Sequence, residues 1–283
     1  MDACPYYSDL DDKTFLITGV APGNIGEAIC NALLATNARI VAQIRYKDVE
    51  QVALRLQLDV SASQLVVYDY DPLVARPDWY YEDGEHLFDI LRERVASMGI
   101  ADNGIAGLVN CIGSVSLQQA KRLEHRQIWT ETQLNYLLPF VLMKQFYKYH
   151  LCYPQTQRAI VNITSIGAQK AFSGYCAYNA AKAALEIASR TCAREWADND
   201  AGMRVNCIAP GPVEGPLQDH LISQAAWQSS CDEVTTRMKM TERIPQWRFA
   251  QAEDIAAAVV FLLSSVSRHI TGATLRIDGG QLT

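Results

Sequence analysis

The sequence predicts an α/β fold in which a parallel sheet is covered by helices on both faces. Three observations carry this. Short β-rich apolar runs alternate with helix-like stretches from Thr14 onward, and the first run passes through a glycine-rich turn directly into the first helix. No internal repeat or low-complexity linker divides the 283 residues, so a single domain over 1–283 is expected.

Taken in order, Thr14-Phe-Leu-Ile-Thr18 is the first strand, and a helix runs from about Gly26 to Leu34. Arg39 to Ile44 forms a second strand, Lys47 to Leu58 a helix, and Leu65-Val-Val-Tyr68 a third strand that runs out into Asp69 and Tyr70. Residues 72–86 break the rhythm with Pro, Asp, Glu and the rings of Trp79, Tyr80 and Tyr81. This insertion reads either as an exposed connection pinned by its rings or as part of a pocket rim or partner surface. A helix over Leu87 to Met98 precedes a strand over Ile105 to Asn110. Then come a long helix from Trp129 to Leu151, a strand from Ala159 to Ile163, and a helix that carries Tyr178 and Lys182 to about Trp196. Met203 to Ile208 and Thr274 to Ile277 close the set as strands.

Composition excludes several classes of function. With 25 basic and 31 acidic residues the formal net charge is -6, so the chain has no global attraction for nucleic acid or an anionic membrane. The apolar run Ala256 to Leu263 is too short to span a bilayer. Eight dispersed cysteines without a Cys-x-x-Cys pair read as small buried hydrophobes in a reducing compartment, and five scattered histidines offer no metal site. No basic segment followed by an apolar run and cleavage site leads the chain, so the expected location is cytoplasmic.

Thr18 to Ala28 carries the first chemical signal. Gly19, Gly23 and Gly26, with Asn24 and Ile25 between them, permit a tight turn whose amides approach a diphosphate, at the positive N-terminus of the following helix. Arg45 and Lys47 end the second strand, where an acidic residue would suit NAD. They read either as solvated strand-end cations or as partners of a 2′-phosphate, which favours NADP(H) over NAD(H). Asp69, with Tyr70 beside it, is either a helix cap or an acceptor for an adenine amino group. Asn110, Cys111, Ile112 and Gly113 follow the fourth strand and line the same crevice.

Tyr178 and Lys182 stand four residues apart, which places a phenol and an ammonium on one helical face. A neighbouring cation favours phenolate, so the pair is expected to bring the phenol toward neutrality, as acid-base work requires. Tyr175 shares that face and is a candidate for packing near substrate, whereas Asn179 points elsewhere.

These residues together resemble the short-chain dehydrogenase/reductase family. The likeness rests on the glycine turn, Asn110-Cys-Ile-Gly113, Asn135, Ser165, Tyr178-Asn-Ala-Ala-Lys182, Pro210-Gly211, Ile270-Thr-Gly272 and Asp278-Gly-Gly280, and extends over roughly residues 12 to 281. It implies a Rossmann-type three-layer sandwich with a central, mostly seven-stranded parallel sheet, a nicotinamide dinucleotide, and Ser165, Tyr178 and Lys182 as catalytic residues. By the same resemblance Asn135 holds a proton-relay water, Lys182 also binds the nicotinamide ribose, and Pro210, Gly211 and Val213 line the cofactor site. Three positions depart from the family pattern: the longer Gly23-Asn-Ile-Gly26 spacing, Cys111-Ile112 within the Asn-Asn-Ala-Gly motif, and Gly215 where a threonine often contacts the cofactor.

The implied reaction is NADPH-dependent reduction of a carbonyl on a largely apolar small molecule, or the reverse alcohol oxidation. An epimerase, dehydratase or other lyase without net redox turnover is the competing reading, and a noncatalytic nucleotide-binding protein a third. Residues 215–250 close the substrate pocket, either as a mobile amphipathic lid or as a packed pair of surface helices. The resemblance also implies a homotetramer built through the regions Leu137 to Met143 and Ala180 to Ala193.

Overall fold

A computed structural model describes residues 5–44, 49–55, 65–69, 82–101, 104–153, 157–197 and 202–283. Seven strands form one sheet: β1 Thr14–Val20, β2 Arg39–Ile44, β3 Leu65–Asp69, β4 Ile105–Asn110, β5 Ala159–Ile163, β6 Arg204–Pro210 and β7 Thr274–Ile277. Their order is β3-β2-β1-β4-β5-β6-β7, and every pairing is parallel. The order reverses at β1/β4, which opens a crevice beyond the strands' C-terminal ends. This is the expected Rossmann-type sandwich.

Alternation along β1 shows why both faces are covered. Phe15 and Ile17 pack with Ile29, Leu33, Ile255 and Val259 on one side. Leu16 packs with Leu138, Leu142, Phe146 and Leu185 on the other. The first side is supplied by helices α1 (Ile25–Leu34) and, later in the chain, Ala252–Leu263. Between them come α2 (Val49–Arg55) and α3 (Glu82–Ser97), whose start lies five residues before the sequence-based boundary and takes in the end of the 72–86 segment. Residues 72–81 of that segment lie outside the described residues.

The predicted long helix is α4 (His125–Thr132) and α5 (Leu138–Cys152) joined by a π-turn over Gln133–Leu137. After α6 (Cys176–Trp196) come α7 (Pro216–Ser229), α8 (Glu233–Thr241) and α9 (Ala252–Leu263). α9 has no counterpart among the elements expected from the sequence, and it contains the apolar run Ala256 to Leu263. Gln251 and Asp254 start it with reciprocal capping bonds.

Candidate active site

A cavity of about 1440 Å³ opens beyond the C-terminal ends of the central strands. Its nucleotide end is built from the β1–α1 turn. Gly19 has φ +75°, and a Cβ there would lie 2.5 Å from the Ile112 backbone, so only glycine lets these two chains touch. At Gly26 a Cβ would lie 2.8 Å from the Gly19 carbonyl, and this close packing of helix on strand keeps Gly26 out of the cavity lining. Asn24 ties the turn together: its Oδ1 accepts from Ala21 N and Glu27 N, and its Nδ2 donates to the Gly19 carbonyl at 2.8 Å.

The longer glycine spacing has a specific consequence. Gly23 N donates to Glu27 Oε2 at 2.8 Å, and Glu27 Oε1 accepts from Arg55 Nε at 2.6 Å. That amide is therefore occupied by a carboxylate from within the chain. The amides of Ile25 and Gly26, at the first turn of α1, have no hydrogen-bond partner among the described residues. The Ile25 amide, which lines the cavity at the helix N-terminus beside a glycine-only approach, fits the diphosphate of a dinucleotide. Gln43, Gln51 and Arg55 line the same end, and Gln43 Oε1 accepts from Gly19 N at 2.8 Å.

The other cofactor expectations divide three ways. Gly23, Asn24, Ile25, Gly113, Pro210, Gly211 and Val213 line the cavity with Gly19. Arg45, Lys47 and Tyr70 lie outside the described residues, and Asp69 is placed only as the last residue of β3. Asn110 requires a correction: its side chain turns into the core, where Nδ2 donates to Asn162 Oδ1 at 2.8 Å. It spans β4 and β5 while Cys111, Ile112 and Gly113 provide the wall.

At the reaction end, Ser165, Tyr178, Lys182 and Asn135 all line the cavity. Ser165 leaves β5 in an extended conformation, its Oγ accepts from Gly167 N at 3.0 Å, and its hydroxyl draws the Tyr178 phenol down. Lys182, 4% exposed, donates from Nζ to the Ile163 carbonyl at 2.8 Å and sits 5.8 Å from the Tyr178 ring centroid. Asn135 lies in the π-turn, where Nδ2 donates to the Glu131 carbonyl at 2.8 Å and the Ser114 carbonyl at 2.7 Å. A side-chain amide inserted into the helical ladder accounts for the local π geometry.

The electrostatics differ from the expectation for a helical Tyr-Lys pair. Burial pushes the Tyr178 phenol up to about 12, opposed by the Ser165 hydroxyl, and Tyr175, Glu131 and Cys111 push it further in the same direction. Burial also brings Lys182 down to about 8. Desolvation is the largest cause at both groups, and the nearby Lys182 leaves the phenol above its ordinary value.

Tyr175 lines the cavity edge-on to Tyr178, with centroids 6.5 Å apart. Asn179 also lines it, through its contact with Gly167, where a Cβ would meet Asn179 Oδ1 at 2.3 Å. The 215–250 segment contains α7 and α8. Arg237 on α8 donates twice to Glu214, at 2.7 and 2.9 Å, and once to Asp219 on α7, at 3.1 Å, while Ile222, Ile244 and Phe249 form a small core. Two features of the site are not expected from the sequence: Glu131, an acid one turn before Asn135, and the cations Lys239 on α8 and Arg243 just after it, which line the cavity. The helical spacing of each pair was the available signal.

Comparison with known proteins agrees with this arrangement. The family model described as enoyl-(acyl carrier protein) reductase matches residues 19–281. The chain is 28% identical to L-xylulose reductase of Caenorhabditis elegans over 276 residues, 98% of each chain. It is 32% identical to D-threitol dehydrogenase of Mycolicibacterium smegmatis over 275 residues, 96% of this chain and 93% of the relative. Among solved structures, a protein described as an NAD(P)-dependent gluconate 5-dehydrogenase from Beutenbergia cavernae, with bound NADP, superposes with a TM-score of 0.80 at 26% identity. That superposition covers 98% of this chain and 99% of the other. The chain belongs to the NAD(P)-dependent short-chain dehydrogenase/reductase family and is an oxidoreductase of small carbonyl or alcohol substrates.

Proposed function

We propose that this protein uses NADPH to reduce a carbonyl group on a small, largely apolar molecule, or catalyses the reverse oxidation. The observation that carries this reading is the convergence of Ser165, Tyr178, Lys182 and Asn135 at one end of a cavity whose other end is lined by Gly19, Gly23 and Ile25, with the Ile25 amide unpaired among the described residues. A bound nicotinamide cofactor supplies the hydride. The Ser165 hydroxyl orients the carbonyl oxygen, and Tyr178 donates a proton from its phenol as charge develops there. Burial keeps the phenol protonated but makes it a weaker acid, so donation is drawn by the strongly basic alkoxide that forms as hydride reaches the carbonyl carbon. Lys182 holds the nicotinamide ribose and follows the Tyr178 charge, and Asn135 anchors a proton route from solvent.

Preference for NADPH over NADH is supported by Arg45 and Lys47, which follow β2 in the sequence, and by relatives solved with NADP. The apolar substrate is supported by a wall that includes Val115, Leu117, Phe172, Leu217 and Leu221. Exposed Trp129, Leu151 and Ile187, on α4, α5 and α6, support assembly as a homotetramer through these helices.

The test mixes purified protein with NADPH or NADH and a panel of ketones, aldehydes and sugars, following cofactor absorbance and product mass together. NADPH oxidation matched by alcohol formation is expected. Product formation without net cofactor oxidation overturns the reductase reading, and faster turnover with NADH overturns the cofactor preference.

A further inference from the structure

α8 presents its apolar and charged residues in the reverse of the order expected for a helix on a protein surface. Val234 and Met238 share one face and are 70% and 58% exposed, whereas Thr236, Lys239, Met240 and Arg243 share the opposite face and line the cavity. Arg243 stays on that face because Glu242 N donates to the Met238 carbonyl at 2.9 Å and Arg243 N to the Met240 carbonyl at 3.3 Å, which carries the turn past Thr241. Burial alone would turn such a helix over, with valine and methionine inward and the cations outward. The inner face is anchored instead by buried Thr236 and by Met240, which packs on the Ile222, Ile244 and Phe249 core with its sulfur 3.7 Å from Gln218 Nε2.

The two cations on this face are unmatched. Among the described residues neither Lys239 nor Arg243 forms an ion pair, and Lys239 Nζ reaches the Cys231 sulfur at 3.9 Å. Other guanidinium groups of the cover are matched, Arg237 to Glu214 and Asp219, and Arg248 to Asp254. Lys239 and Arg243 stand four residues apart, a spacing at which like charges destabilise a helix. The remaining charges of the cavity lining are accounted for: Arg55 pairs with Glu27, Glu214 is engaged by Arg237, and Lys182 belongs to the reacting group. In a chain of net charge -6, an unmatched positive pair over a cavity is a local feature that an anion completes.

We propose that Lys239 and Arg243 bind an anionic group, a carboxylate or a phosphate, carried by the carbonyl substrate. A guanidinium fork beside an ammonium suits either group. Leu217 and Leu221 of α7 line the same cavity and receive the apolar body, while the pair on α8 holds its charged end. The proposal rests on the carbonyl-reductase reading above and narrows its substrate to an apolar body with an anionic end. The cofactor also brings phosphates to this cavity, and the test separates that source.

Calorimetry on protein saturated with oxidised cofactor, a complex that cannot deliver hydride, measures binding of straight-chain keto acids of increasing length and of their methyl esters. At least one acid is expected to bind roughly tenfold or more tighter than its ester, by a margin that shrinks as salt is raised. The double variant Lys239→Gln/Arg243→Gln should lose that margin and show a raised KM for the acid with kcat unmoved, and Lys239→Glu/Arg243→Glu should place the ester ahead of the acid. A series in which no acid outbinds its ester, or an acid bound as tightly by the variants as by the wild type, overturns the proposal. A fall in NADPH affinity in the double variant that matches the loss of acid binding gives the pair to a cofactor phosphate and overturns it too. Binding is read without hydride transfer, so an acid that binds through the pair and is never reduced defeats the reductase reading and leaves the pair standing. Acid and ester reduced with one KM defeat the pair and leave the reductase reading intact.

Discussion

Gly215 lies directly against Gly23: a Cβ on residue 215 would sit 2.7 Å from the Gly23 carbonyl oxygen, and residue 215 has φ +135°. The segment after β6 is therefore seated on the glycine turn, and it starts α7 with Pro216 at the first helical position. A threonine is often found at this point in the family, but here neither the backbone conformation nor the space admits one. Gly215→Thr should lower stability by about 1–3 kcal/mol and weaken NADPH binding by roughly tenfold or more. Thermal melts and fluorescence titration with NADPH measure both. Wild-type affinity in a folded variant would show that the 215–23 contact opens freely.

Tyr178→Phe removes the phenolic oxygen and keeps the ring against Tyr175 and beneath Lys182. Cofactor affinity should stay within about twofold of wild type, while kcat for carbonyl reduction falls by roughly 10²-fold or more, the scale of a lost general acid. Single-turnover kinetics with NADPH separate the two effects. Undiminished turnover would remove Tyr178 from the proton-donor role.

The architecture was legible because β1, β2, β4 and β5 are short apolar runs set between turns and helices, and their alternation leaves few topologies. The reacting group was legible for a different reason: Ser165, Tyr178 and Lys182 are chemical types whose order along the chain resembles a known family. What sequence could not supply was direction and depth. Asn110 sits one residue before the cavity wall, yet its side chain turns to Asn162, because alternate strand residues face opposite sides of the sheet. The sign of the Tyr178 shift was also hidden, since it depends chiefly on how deeply the fold buries the phenol. Only tertiary placement brings Glu214 and Asp219 to Arg237, a meeting that spacing along the chain does not show.

Lys182 makes the protein's stability depend on pH. Its folded-state value, about 8, lies below the ordinary 10.5, so the charged form is disfavoured by folding. Below about pH 8 both states carry the proton, and the folded state bears the full burial cost, on the order of 3 kcal/mol. Between those two values unfolding takes up a proton, so stability rises with pH. Lys182→Met should therefore be more stable than wild type near neutrality, and the gap should close as pH approaches about 10. Denaturant melts of both proteins across that range check it. A gap that stays constant with pH would show that Lys182 is not titrating between folded and unfolded states. Turnover should be lost in Lys182→Met at every pH.

Arg237 links three parts of the pocket cover. Its guanidinium binds both carboxylate oxygens of Glu214 and one of Asp219, and stacks 5.1 Å from the Phe249 ring centroid. Glu214 in turn is anchored to Ala250 through its backbone amide at 2.9 Å, so the Arg237 bonds couple α7 and α8 to the segment leading to α9. These groups are partly exposed, which limits their worth to global stability to about 1 kcal/mol. Their effect on the cover is larger, because α7 and α8 have only the small Ile222, Ile244 and Phe249 core beneath them. Arg237→Ala should thus shift the melting temperature by only a few degrees while raising KM for the carbonyl substrate severalfold. Limited proteolysis should cut first between residues 229 and 233, where α7 gives way to α8, and NADPH binding in advance should not fully restore protection. Unchanged KM together with unchanged cleavage would show that the cover is held by its apolar core alone.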